Sequence, residues 1–339
     1  MNAIAQLSAR DRRDLFTEAA ARSGLPPFHL EKDFWVCWTL GVLFGHQETG
    51  QHLTFRGGTS LSKAWRIIER FSEDIDLSIS RQWFEDEKDP GESGLSPSEV
   101  EKRLAKLRRH CRVAIETKLR PVLEEAIASL PGSPRIELEP LEQARDPFCI
   151  HVHYPQTDLN APEDYNRPSV KVELSGRAEG WPMELRSFQP YAVEHFAQLQ
   201  EGAEITVPAV SPARTFWEKA ALVHEQLCRP GDRPPAVFQA RHLYDLHRLW
   251  QQPEIVKAPG MAALFHNVRQ HRAAFFGYKW MDYANLNAAD LKLVPSTAQE
   301  SMWREDYARM KAMFFTAPPS FDEVLASLGE IERGIAALA

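Results

Sequence analysis

The run Phe55-Arg-Gly-Gly-Thr-Ser-Leu-Ser-Lys63, followed shortly by Arg70-Phe-Ser-Glu-Asp-Ile-Asp-Leu77, constrains the fold more than any other part of the chain. Leu53 to Arg56 predicts a short strand, and the Gly57-Gly58 pair breaks it. Leu61 to Ile68 then predicts a helix with apolar residues on one side, and Asp74 to Ile79 a second strand. If the two strands share a sheet, the start of the helix lies beside the second strand. Glycines let a phosphate approach the backbone, and helix N-terminal amides, helped by the Thr59 or Ser60 hydroxyl, can bind it. Asp74 and Asp76 are two apart, so both carboxylates leave the same face of a strand while Ile75 and Leu77 turn to the core. Paired oxygen donors suit Mg²⁺, and two carboxylates holding that ion beside a phosphate cradle would serve in-line attack at phosphorus. Alone, an Asp-x-Asp pair is more often a solvated face and a Gly-Gly pair simply a turn. Their joint occurrence in strand-helix-strand order reverses that weighting. The glycine spacing does not fit a Walker A loop, because no G-K-[ST] follows.

Around this segment the chain alternates secondary-structure signals. Ser8 with Asp11 predicts a helix N-cap, Gly24 and Pro26-Pro27 its stop, and Phe28 to Phe44 a second helix. Arg81 to Ser98, rich in Asp, Glu, Gly, Pro and Ser, predicts a mobile surface loop. From Ser98 to Leu130, apolar residues recur every three or four positions (Val100, Leu104, Leu107, Cys111, Ile115, Leu119, Leu123, Ile127), which predicts a long amphipathic helix kinked at Pro121. Its other face carries Lys102, Arg103, Lys106, Arg108, Arg109, Arg112, Lys118 and Arg120. Strands are expected at Arg135 to Leu138, Phe148 to His153, Ser169 to Leu174 and Glu204 to Val207. From Ser211 the pattern is helical, interrupted by the proline-rich segment Arg229 to Pro235. The expected class is therefore α+β: a mixed-sheet lobe with flanking helices over residues 1–207 and a helical lobe over 208–339.

Composition narrows the function classes. The 339 residues carry a net charge of −7, which disfavours simple basic wrapping of nucleic acid. The longest nonpolar stretch, Phe34 to Gly45, falls short of the roughly 20 residues that span a bilayer, and the charged N-terminal region is unlike a signal peptide. A cytoplasmic protein with no membrane partner is expected. Cys37, Cys111, Cys149 and Cys228 show no C-x-x-C spacing, so any metal must use oxygen ligands. His151 and His153 alternate like a metal pair but lack a third ligand nearby. Trp217, Trp250, Trp280 and Trp303 fall in helical patterns and read as core.

The G-G-T-S and D-x-D elements in this order resemble the signature of the nucleotidyltransferase superfamily. More narrowly, Glu31-Lys-Asp-Phe-Trp35, Phe55-Arg-Gly-Gly-Thr-Ser-Leu61, Arg70 to Leu77, Trp217-Glu-Lys219 and Arg241-His-Leu-Tyr-Asp-Leu246 resemble the AbiEii/AbiGii toxin family. That resemblance covers about residues 30 to 250 and implies a nucleotidyltransferase-like sheet lobe. It implies a Mg²⁺-dependent transfer of a nucleoside monophosphate from an NTP to an RNA acceptor, the 3′ end of tRNA, and a cognate antitoxin. Ser72 and Asp74 match the family's S-x-D-x-D run, and Lys219 and Asp245 its helical-domain lysine and aspartate. The expected roles are Asp74 and Asp76 on the metal, Gly57, Gly58, Thr59, Ser60, Lys63, Ser72 and Arg241 on the nucleotide, and Lys219 on the phosphates.

Two positions also have a physical reading of their own. In Val170-Lys-Val-Glu-Leu174, alternation puts Lys171 and Glu173 on one face, so Glu173 is the candidate third carboxylate, catalytic and metal-binding, though many superfamily members carry aspartate there. Lys219 lies on the shoulder of an apolar stripe formed by Phe216, Ala220, Val223 and Leu227, from which it either snorkels or reaches a phosphate. Asp245 either pairs with Arg241 one helical turn away or positions Lys219 or the nucleophile. Two alternatives remain: a protein or small-molecule acceptor, or a catalytically silent nucleotide-sensing module. The Lys102 to Arg120 face is the expected contact for a tRNA backbone.

Overall fold

A computed structural model describes all residues except Glu73, Asp86, 141–146, Asp158, 160–168, 232–236 and 338–339. The second part of the expected proline-rich interruption thus lies outside the described residues. The chain forms two compact units. One comprises Met1–Trp65, Phe71–Glu87 and Ala105–Val210; the other comprises Arg66–Arg70, Lys88–Leu104 and Ser211–Ala339. A single cut near residue 207 is too simple, because Arg66–Arg70 belongs with the later helices. Arg70 bridges Phe314 through its backbone and holds Asp245 through its guanidinium.

The first unit is built on a seven-stranded mixed sheet in the order β3-β4-β5-β2-β1-β7-β6. Its strands are β1 (Leu53–Arg56), β2 (Ile75–Ile79), β3 (Arg135–Leu138), β4 (Phe148–His153), β5 (Ser169–Ser175), β6 (Met183–Phe188) and β7 (Ile205–Val210). β1 runs antiparallel to β2 and parallel to β7, and β2 runs parallel to β5. One face is apolar: Phe55, Leu77, Val172, Leu174 and Ile150 are fully buried or nearly so. The helix Pro27–Gly45 packs on β5 and β7 and buries Leu30, Phe34, Trp35, Leu40 and Leu43. Each such side chain contributes about 1.5–3 kcal/mol by leaving water. Ser8 accepts the Asp11 amide at 3.1 Å, and Gly24 closes the first long helix in a left-handed conformation, as the sequence predicts.

Three local expectations change. The helix after β1 runs from Gly57 to Lys63, not from Leu61 to Ile68. Gly57, with φ +77°, turns the chain out of the strand in one residue. The expected kink at Pro121 is instead a π-turn over Ile115–Leu119, between helices Pro97–Ala114 and Arg120–Ile127. Proline offers no N–H to the carbonyl four residues back, and the ladder widens by one residue to pass it. The expected loop from Arg81 to Ser98 is anchored in part: Trp83 stacks on His52 at 4.7 Å, and Arg103 donates to the Asp89 carbonyl at 2.7 Å.

In the second unit, helix Pro212–Leu227 packs against helices Arg241–Trp250 and Met261–Phe275, and Phe321–Ala336 packs on Arg241–Trp250. Phe216, Trp217, Leu243, Leu246, Leu328 and Ile331 form its core. Trp217 and Trp303 are buried as expected, whereas Trp280 is exposed. Asp306 accepts the amides of Phe238 (2.6 Å) and Ala240 (2.7 Å), which fixes the chain just before Arg241. Among the described residues, no helix is long and apolar enough to cross a membrane.

Candidate active site

Strand register assembles the carboxylates. Asp76 of β2 faces Arg56 of β1 on one side and Glu173 of β5 on the other. Laterally paired residues share a sheet face, so Asp76 and Glu173 project together from the face opposite the apolar core. Asp74 stands one residue before β2 rather than within it, and all three carboxylates are half-buried. A further group, not assigned by sequence, completes the cluster. Lys171 donates a hydrogen bond to Glu173. Burial works to lower the Lys171 pKa, but Glu173, Cys149 and Asp74 outweigh it and raise the ammonium to about 12.

The glycine turn fits against this cluster. A Cβ at Gly57 would lie 1.9 Å from Oδ2 of Asp76, so any side chain there collides with the carboxylate and strains the positive φ as well. Thr59 donates to the Asp74 carbonyl, and its Oγ1 lies 2.9 Å from Ser72 Oγ. Ser60 donates to the Gly57 carbonyl at 3.0 Å. Thr59 and Ser60 are fully buried, so their hydroxyls brace the turn and the segment leading into β2 instead of presenting themselves to a phosphate. Gly58 is buried in the same first turn.

Lys63 corrects a sequence expectation. It is buried, forms an ion pair with Asp33 at 2.7 Å, donates to the Gln189 carbonyl at 3.1 Å and lies 3.3 Å from the Tyr191 ring centroid. Burial would lower its pKa, and the Asp33 carboxylate more than offsets this. The ammonium is held above its ordinary value. A lysine enclosed this way braces the helix Gly57–Lys63 and is not available to a nucleotide.

The second unit contains a basic centre. Asp245 is fully buried and accepts from Arg70 through Nε (2.8 Å) and a terminal nitrogen (2.7 Å), and it pairs with Lys219 at 2.8 Å. These partners stand in place of Arg241, one of the alternatives the sequence leaves open; Arg241 is half-buried at the first residue of its helix. Burial alone would raise the Asp245 pKa; Arg70 and Lys219 reverse it and hold the carboxyl well below the usual range. Lys219 also donates to His242 Nδ1 at 3.4 Å. Burial lowers the Lys219 pKa, reinforced by Arg70 and Arg241 against the pull of Asp245. Burial and the same cations keep His242 neutral. Two buried cations on one buried carboxylate leave an excess of positive charge, which suits an anion. Arg70 was visible only as part of a motif, because its partner lies 175 residues away.

The donor set fits a hard divalent cation in chemistry, since Asp74, Asp76 and Glu173 offer only oxygen. The Gly57 cradle keeps Asp76 in place beside the turn. Among the described residues, however, no three His, Cys, Asp or Glu side chains converge as a ready cage, and Glu173 is turned to Lys171. His153 is held by Glu137 at 2.8 Å, so the His151/His153 alternation builds no metal site either. The basic face near residues 98–130 is partly neutralised. Arg103 pairs with Glu92 and Glu99, Arg112 with Glu116, Lys118 with Glu48 and Arg120 with Glu124, while Lys102, Arg108 and Arg109 stay exposed.

Carboxylates on adjacent strands of a mixed sheet, set against a glycine turn at the mouth of a short helix, mark the α+β architecture of nucleotidyltransferases. Residues 41–327 match the family of nucleotidyl transferase AbiEii toxins of type IV toxin–antitoxin systems, and the chain belongs to that family. It is thus a nucleotidyltransferase toxin, with a nucleotide substrate and an antitoxin partner implied by its family. The match begins after Glu31 to Trp35 and continues past residue 250, where the sequence motifs are weakest. No curated protein sequence matches the chain.

Proposed function

We propose that the chain transfers a nucleoside monophosphate from an NTP to an RNA acceptor, with the 3′ end of tRNA as the acceptor class and Mg²⁺ as the metal. The observation that carries the reading is the Asp76–Glu173 register beside Asp74, with Gly57 seated against Asp76. Asp74 and Asp76 would hold the metal, which would supply charge neutralisation at the triphosphate and lower the pKa of the acceptor hydroxyl. In the transfer, the acceptor oxygen forms a bond to the α-phosphorus as the bond to pyrophosphate breaks. The amides of the Gly57-Gly58 turn approach the phosphates, with Thr59, Ser60 and Ser72 keeping that turn in shape. Family resemblance assigns Lys219 and Arg241 to the phosphates, and within the second unit Asp245 and Arg70 position Lys219. The acceptor rests on family resemblance and on the exposed cations Lys102, Arg108 and Arg109.

The test is direct. The protein is incubated with Mg²⁺, total RNA and each α-labelled NTP, with γ-labelled ATP as control. Label in RNA from the α position alone is expected. Label in protein, or no transfer despite NTP binding, would replace the RNA reading with a protein acceptor or a silent sensor, and label from the γ position would mean a kinase.

The pH profile supplies an independent check on Lys219. Its depressed pKa means that the ammonium is lost at lower pH than the ordinary 10.5, so kcat/KM should fall on an alkaline limb below that value. Lys219→Arg keeps the charge to much higher pH and should push the limb upward, even with a lower plateau. An unmoved limb in that variant would assign it to another group.

A further inference from the structure

Lys171 places its ammonium against one of the three candidate carboxylates, Glu173. It sits on β5 two residues before Glu173, opposite His151 of β4, and it donates to Glu173 while lying in the field of Asp74. Its side chain is 36% exposed, so the ammonium has room to swing outward on its four-carbon stem. Asp76 and Glu173 share one face, with Asp74 one residue before β2, yet among the described residues no three acidic, His or Cys groups converge. The group interposed is Lys171. Around it, Glu137 and His151 face the same row from β3 and β4, and Cys149 lies beside Glu173.

We propose that Lys171 is the resident counter-ion of the carboxylate site, and that a divalent cation enters by displacing its ammonium from Glu173, which frees that carboxylate to join Asp74 and Asp76. The exchange is a change of position in which no proton is transferred. Carboxylates gathered on one sheet face repel, and the tethered ammonium offsets that repulsion while no metal is bound. It also competes with the incoming ion, so the site is set for weaker metal binding than its carboxylates alone would give. The inference rests on the reading of Asp74 and Asp76 as metal-holding residues.

Mn²⁺ binding to the full chain without nucleotide, followed by electron paramagnetic resonance at constant pH, tests both. Lys171→Met keeps the stem and removes the charge, and it should tighten Mn²⁺ binding by about tenfold or more. Adding Glu173→Gln to that variant should cancel most of the gain, whereas Lys171→Arg should bind as the unaltered chain does. Thermal melts establish that each variant is folded, and Lys171→Gln provides a second neutral replacement if methionine perturbs the sheet. Unchanged or weaker binding in both neutral variants would overturn the counter-ion role. Asp74→Ala separates the two readings: if it leaves Mn²⁺ binding intact, the carboxylate assignment itself fails, and if it abolishes binding while Lys171→Met changes nothing, only the Lys171 proposal does.

Discussion

Asp74→Ala is expected to lower nucleotidyl transfer by about a thousandfold or more, the scale of losing a preorganised electrostatic group in an active site. It should leave the protein folded. Thr59 holds the Asp74 segment through the backbone carbonyl, which the substitution keeps, and Ser72 and Thr59 remain paired. The Asp74 side chain is half-buried, and Lys171 keeps its bond to Glu173 when that side chain is truncated. The thermal midpoint should therefore stay within a few degrees of the parent value. Asp76→Ala would be a less clean probe, because the Asp76 carboxylate also packs against Gly57. In cells, expression of the unaltered chain alone should slow growth, and the Asp74→Ala chain should not. Label transfer retained by a folded Asp74→Ala protein would remove these carboxylates from the chemistry; loss of transfer together with a collapsed melt would mean that the residue is structural.

How far the sequence foresaw this site depended on how local each interaction is. Strand alternation around Glu173 correctly put it on the face opposite Val172 and Leu174, and the register with Asp76 is the tertiary counterpart of that pattern. Gly57 was legible as a turn, but its tightest constraint is the Asp76 carboxylate, which only the β1–β2 pairing brings to it. The hydroxyls of Thr59 and Ser60 and the ammonium of Lys63 looked like phosphate ligands because sequence does not show which groups claim them. Their actual partners come from the chain before β2, from the turn itself and from Asp33. β6 went unseen because it is a short edge strand whose brief alternation, Met183 and Leu185 against Glu184 and Arg186, leaves both apolar side chains exposed. The basic helix face was legible as a charge pattern; the acids that neutralise part of it include Glu48, 70 residues away from Lys118.

The second large effect is expected at Asp245, for which the sequence leaves open an ion pair with Arg241 or a positioning role toward Lys219 or the nucleophile. Asp245→Ala would leave Arg70 and Lys219 buried without their carboxylate, and breaking a buried pair from one side costs about 3–5 kcal/mol. An exposed pair with Arg241 would have cost under about 1 kcal/mol, so chemical denaturation distinguishes the two. Its acid dependence follows from the same contacts. The folded-state pKa of Asp245 lies below its ordinary 3.8, so its contribution is complete above that value and is lost only as the pH falls through the lower, folded-state value. The single variant loses this acid-labile component. Lys219→Met should behave differently, since it leaves the two-pronged Arg70–Asp245 pair intact; it should lose transfer with a much smaller loss of stability. Combining the two changes removes one of the stranded cations, so the double variant should be more stable than the sum of the single losses predicts. Additive losses would mean that Lys219 and Asp245 act independently, and a loss for Asp245→Ala below about 1 kcal/mol would mean that water reaches the centre and the buried triad is not what holds these helices together.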